Sequence, residues 1–155
     1  MTLIVSLLVA LLIGAFLYDL AQRRLRWPRA AGSVASHANT DPSIAAAAMM
    51  YVVASEVATV SAQQEQEMAS LLASCIGLEA EAARKCMKQG RRLSRLDGDL
   101  TSRLHQLQGP IVENCTLRER QDLIEMLRKV AGPSGERIGP VRDAIGRLSA
   151  SLRNA

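Results

Sequence analysis

Three cysteines, two histidines and fifteen carboxylates are the residues of this 155-residue chain that could carry covalent, metal or acid–base chemistry. Their spacing builds none of the known constellations. Cys75, Cys86 and Cys115 are an odd, scattered set with no CxxC pair, which argues against a zinc site and against a disulfide framework. Each is expected to be a small, buried apolar residue, in keeping with a reducing compartment. His37 falls in a linker-like stretch, and His105 stands alone on a helical one. Glu65 and Glu67 are two residues apart, as are Glu79 and Glu81, so on a helix each pair points to different faces. Asp97-Gly98-Asp99 is a fragment of a calcium loop without the ligand ladder or the closing glutamate. There is no GxSxG, HExxH, P-loop or dinucleotide fingerprint. The expectation is a protein that is not an enzyme, with no catalytic residues, no metal and no cofactor.

The elements that would position any site begin with residues 3–18, LIVSLLVALLIGAFLY, apolar but for Ser6. Roughly 20 apolar residues span a bilayer core, with about 17 as the lower bound. Eleven of the sixteen are Leu, Ile, Val or Phe. At about −0.3 to −0.6 kcal/mol each, they favour insertion by roughly −3 to −6 kcal/mol. Residues 1–21 therefore read as a transmembrane anchor. Arg23, Arg24, Arg26 and Arg29 follow it, with no Lys or Arg before it. The positive-inside bias then places the N-terminus outside and the rest in the cytoplasm, single-pass, in a bacterial inner membrane. Tyr18 and Trp27 flank the arginines as interfacial aromatics do. A cleaved signal peptide would need a basic n-region and a small-residue cleavage site, and neither is present. Ala10, Gly14 and Ala15 are small enough to let a partner span approach closely.

The formal charge of +4 is uneven. Residues 19–29 hold four arginines against Asp19, a local +3, which leaves 4 − 3 = +1 for the rest. The high pI thus belongs to the juxtamembrane stretch, where arginines contact anionic headgroups at about 1 kcal/mol each. No basic stripe with interleaved aromatics is present, so no nucleic-acid partner is expected. The expected partners are membrane lipid and either a membrane-protein complex or a second copy of the chain.

Residues 22–40 form the basic juxtamembrane stretch and a flexible linker, small and polar over 30–40. Residues 41–155 read as an all-α domain of five or six helices, because aromatics are scarce and no segment alternates with period two. Asp41 and Pro42 open the first helix, with Ile44, Ala48, Tyr51, Val52 and Ser55 at helical spacing. Ser61 to Gln64 and Thr116 to Glu119 are capping boxes. Met68, Leu71, Leu72 and Cys75 mark the second helix, ended by Gly77. A third helix is expected over 79–89, stopped by Gly90. A fourth covers 93–107, with a possible break at Asp97-Gly98 and a turn at Gln108-Gly109-Pro110. Leu117, Leu123, Ile124, Leu127, Val130 and Ala131 form the stripe of the fifth, closed by residues 132–135. Pro140 starts the last, with Val141, Ala144, Ile145, Leu148 and Leu152 inward. Short loops suggest antiparallel neighbours. Arg84, Lys85, Lys88, Arg91 and Arg92 form a basic cluster, read as a solvated face or as a contact for headgroups or an acidic partner.

Over residues 42–153 this pattern resembles the tellurite-resistance TerB-like helical family, found alone and in membrane-anchored proteins of the DjlA type. The residues that carry the resemblance are two helix–loop–helix segments, 56–64 and 134–142, with Val60 and Ile138 at the hydrophobic loop position. The residues from Cys115 to Arg120 resemble the family's helix start before its second repeat. The resemblance implies a compact five- to six-helix bundle and a divalent cation held by acidic loops. The acidic positions are occupied here by Val57, Gln64, Gly135 and Arg142. A hard cation needs several oxygen ligands, so these loops are degenerate and metal binding does not carry over. The favoured reading is a non-enzymatic, membrane-anchored interaction or accessory protein. The alternative is a calcium-binding stress-response or tellurite-resistance-type sensor using Glu56, Glu65, Glu136 and Asp143.

Overall fold

The computed structural model describes residues 41–155, and they are helical throughout, with six helices and no strand among them. These are α1 (Pro42–Val57), α2 (Ala62–Ile76), α3 (Ala80–Leu93), α4 (Leu100–Asn114), α5 (Leu117–Arg137) and α6 (Gly139–Asn154). None of them is long and apolar enough to cross a membrane. The anchor and juxtamembrane expectations for residues 1–40 lie outside the described residues.

Local chemistry sets most of the boundaries. Asp41 Oδ1 accepts from the Ser43 amide at 2.8 Å, and Pro42 takes the first helical position. In α2 the Ser61 amide donates to Gln64 Oε1 at 3.0 Å, and the Gln64 amide donates back to Ser61 Oγ at 3.2 Å. That reciprocal box satisfies two amides that the helix start leaves unpaired. Gly77 closes α2 in the left-handed region at φ 73°. Asp99 caps α4 through the Ser102 amide at 2.8 Å. The second box opens α5: Glu119 Oε2 accepts from the Thr116 amide at 2.7 Å and from its hydroxyl at 2.8 Å.

The architecture is a sheath around α1. Twelve of its sixteen residues are buried, including the run from Ala45 to Ala48, so it is covered on every side instead of along one stripe. That differs from the expected pattern, in which one face carried Ile44 and Ser55; Ile44 is only half-buried and Ser55 is exposed. Helices α3, α4 and α5 cover α1, α2 lies on α3, and α6 lies on α5 and α4. Sequence neighbours are not always spatial neighbours. α1 touches α2 only lightly, and its most extensive contact is with α3. The expectation that consecutive helices pack as neighbours therefore holds for α2–α3 and α5–α6 but not throughout. The central helix captures surfaces that a sequential hairpin would have paired.

Five further expectations are corrected. Gly90 does not stop α3, which runs on to Leu93. A Cβ at Gly90 would lie 2.7 Å from both Ala47 Cβ and Ala48 N, so this glycine is where α3 meets the backbone of α1. Leu93 and Leu96 belong to the end of α3 and the following connection; α4 begins only at Leu100. Gln108-Gly109-Pro110 is not a turn, because α4 continues through Pro110 to Asn114. Proline deprives the carbonyl four residues earlier of its partner. That residue is Gln106, which is exposed, so solvent can satisfy the freed oxygen. Leu117 is half exposed at the first turn of α5 and does not join its inward stripe. Residues 132–135 mark a kink more than an end. Gly132 leaves helical geometry at φ 61°, and one more turn follows before Ile138.

Candidate functional site

Helices α2 and α3 pack side by side and leave a groove of about 980 Å³ along their shared outer edge. Besides Glu65 and Gln66, the wall on α2 is built from short side chains: Ala62, Ala69, Ser70, Ala73 and Ser74. They recur at helical spacing because the larger apolar residues of α2, Met68, Leu72 and Ile76, are turned into the core. Met87, buried at 1% exposure, and the half-buried Leu78 supply the apolar floor. The wall on α3 is cationic, with Arg84, Lys88 and Arg91 on one face at i, i+4 and i+7.

Three cations face a single lining carboxylate. Glu65 meets Arg91 across the groove at 3.6 Å, with the arginine side chain 62% exposed. An exposed pair of this kind contributes about 0–1 kcal/mol, so it does not lock the groove shut. Arg84 is tethered only through Nε to the Ala80 carbonyl at 3.3 Å, and Lys88 has no salt-bridge partner among the described residues. Lys85 is drawn off to Glu81 at 3.1 Å, and its ammonium holds the Glu81 carboxyl below the usual carboxylate range. Tyr51 of α1 lies beside the Glu65–Arg91 pair. Its hydroxyl is buried without a well-formed hydrogen bond, and burial, then the neighbouring Glu65 carboxylate, push its pKa upward.

Of the four loop positions singled out from sequence, two come together. Val57 ends α1 and Gly135 lies in the last turn of α5, where an added Cβ would come within 3.0 Å of Val57 Cγ2. The two positions are thus in apolar contact. Gln64 is occupied in the α2 capping box, and Arg142 is exposed, with Nε 3.3 Å from Asp143 Oδ1. A smaller hollow of about 340 Å³ between α5 and α6 is lined by Arg128, Glu136 and Arg142 around Gly135 and Gly146. Two cations against one carboxylate are ill suited to a metal ion.

Three of the four carboxylates of the calcium alternative are taken up by arginines. Glu56 bonds to Arg103, Glu65 pairs with Arg91, and Asp143 with Arg142. Asp99 is a helix cap. No three His, Cys, Asp or Glu side chains come together as a metal site among the described residues. His105 is exposed. Burial pushes the Cys86 thiol up to about 11 and the Cys115 thiol to about 12, which leaves both poor nucleophiles near neutrality. Glu119 and Arg120 act structurally. Arg120 donates to the carbonyls of Val112, Cys115 and Leu152 at 2.7, 3.1 and 3.0 Å, binding the end of α4 to the end of α6.

Of the residues singled out from sequence, Ala10, Gly14, Ala15, Tyr18, Arg23, Arg24, Arg26, Trp27 and Arg29 lie outside the described residues. The α2–α3 groove was not anticipated, although its signal was present. The small residues of α2 share a spacing, but only the docking of α3 shows that they line a surface. Compared with protein-family models, curated proteins and solved structures, the chain matches none.

Proposed function

We propose that this chain is a non-enzymatic, membrane-anchored interaction protein whose helical domain is held at the cytoplasmic face of a bacterial inner membrane. The observation that carries the reading is the apolar run of residues 3–18 followed by Arg23, Arg24, Arg26 and Arg29. The folded domain adds support, since it carries an open groove lined by alanines, serines and basic side chains. Its partners in this reading are membrane lipid and a membrane-protein complex or a second copy of the chain. The TerB-like resemblance belongs to the same proposal. It rests on the sequence positions of Val60 and Ile138, which are partly buried against the core at the α1–α2 and α5–α6 junctions. The calcium alternative has less support, because arginines occupy Glu56, Glu65 and Asp143.

Membrane fractionation tests the reading. The full chain is expected to stay with the membrane after alkaline carbonate washing, and a chain lacking residues 2–20 is expected in the soluble fraction. A truncated chain that stays with the membrane and keeps its partners would overturn it.

A further inference from the structure

We infer that the α2–α3 groove receives an amphipathic helix of a partner protein, about three turns long, with a stripe of carboxylates beside a stripe of small apolar residues. This rests on the interaction-protein reading and specifies the chemistry of its partner.

Length comes from the groove itself. Its α2 wall runs from Ala62 to Ser74. At 1.5 Å per residue that is roughly 18 Å, the length of about 12 helical residues. Secondary structure follows from the walls. Both are helices whose backbone groups are already bonded within the helix, so an extended segment would find no edge to pair with. A helix needs no such edge and packs through side chains, ridge into groove. Alanine and serine on α2 let its backbone come close, while Met87 and Leu78 provide the apolar floor.

Charge follows from α3. Arg84, Lys88 and Arg91 are spread along roughly 10 Å of one helix face and do not converge on a point. A lone phosphate is held by donors that surround it. A line of cations matches a line of anions, as a helix with carboxylates at i, i+4 and i+7 presents. The concave setting also separates this site from a headgroup contact, which favours a convex or flat basic surface lying on the bilayer. A second copy of this chain is a poor occupant. None of its described helices carries three exposed carboxylates at that spacing.

The test uses the full-length chain in a neutral detergent. It is titrated with a fluorescent peptide of about 14 residues, helical, with glutamates at i, i+4 and i+7 beside an alanine–leucine stripe. Controls are a scrambled peptide of equal charge and soluble short-chain phosphatidylglycerol. The acidic helix is expected to bind saturably and the scramble weakly, with no displacement by the lipid. Ser70→Trp, which fills the groove from an exposed position, is expected to abolish binding. Lys88→Glu, an exposed charge reversal that leaves the fold intact, is expected to weaken it about tenfold. Equal binding of the scramble, or indifference to both substitutions, overturns the inference. Displacement by phosphatidylglycerol, sensitive to Lys88→Glu, overturns it in favour of a headgroup site. Because the titration needs no membrane, its failure is distinct from failure of the anchoring proposal, which fractionation reads.

Discussion

Helices α1 and α3 pack on each other more extensively than any other pair in the domain, yet they are opposite kinds of helix. α1 has no charged residue before Glu56 and buries twelve residues. α3 buries three, Ala83, Met87 and Gly90, packs Cys86 and Leu93 partly against the core, and presents its charged residues outward. A helix that is apolar all round must be surrounded, whereas one with a single apolar stripe can only be a cover. The difference explains why the groove lies on α3 and not on α1. Only a covering helix has a face left over for a partner.

The sharpest way to break the contrast is to damage the centre. Met49, on α1, is fully buried. Met49→Ala is expected to destabilise the domain by about 3 kcal/mol through lost burial and a residual cavity, read as a lowered urea midpoint. The seam between the two helices comes next. In Gly90→Ala the new methyl meets Ala48 N at 2.7 Å, and backbone cannot step aside as a flexible side chain would. A loss of about 2 kcal/mol is expected from the overpacked contact. An unchanged midpoint would show that α3 shifts freely on α1.

The thiols give a pH-dependent measure of the covering layer. Their folded pKa values, about 11 for Cys86 and about 12 for Cys115, exceed the ordinary 9.0 because burial disfavours the thiolate. Above pH 9 the unfolded chain releases these protons first, so it binds fewer than the folded chain and stability falls as pH rises. The contribution is fully present below about pH 9 and is lost as pH climbs through about 11 to 12. Replacing both cysteines with alanine is expected to flatten that part of the urea-midpoint profile.

Smaller effects test the exceptions in each helix. Tyr51→Phe removes a buried hydroxyl with no well-formed hydrogen bond, and stability is expected to stay level or rise by up to about 1 kcal/mol. A clear loss would mean that the hydroxyl is bonded to Glu65 in solution. Gln89→Ala, on the exposed side of α3, is expected to change stability by less than about 0.5 kcal/mol.

What was legible beforehand was what three or four adjacent residues decide. The Ser61 and Thr116 boxes, Pro42, Pro140 and Gly77 act within one turn of helix, and each stands where its type and spacing placed it. Gly90 and Gly109-Pro110 depart from the expectation because the same residue types serve two purposes. Glycine ends a helix, but it also admits another helix at close range. Proline breaks a helix, but it is tolerated where the orphaned carbonyl faces solvent. Leu117 departs for a related reason, since an apolar residue in the first turn of a helix can lie above the core instead of in it.

The amino-acid sequence by itself determined that residues 41–155 fold as helices and where most of those helices begin, because capping and periodicity are local. Tertiary structure alone decided that α1 is the centre. Its alanines are equally apolar on every side and give no preferred face until other helices choose one. Tertiary structure also decided that the small residues of α2 and the cations of α3 share a groove. Each set is visible in its own helix, but their meeting is a relation between two helices, and no periodicity within either one encodes it.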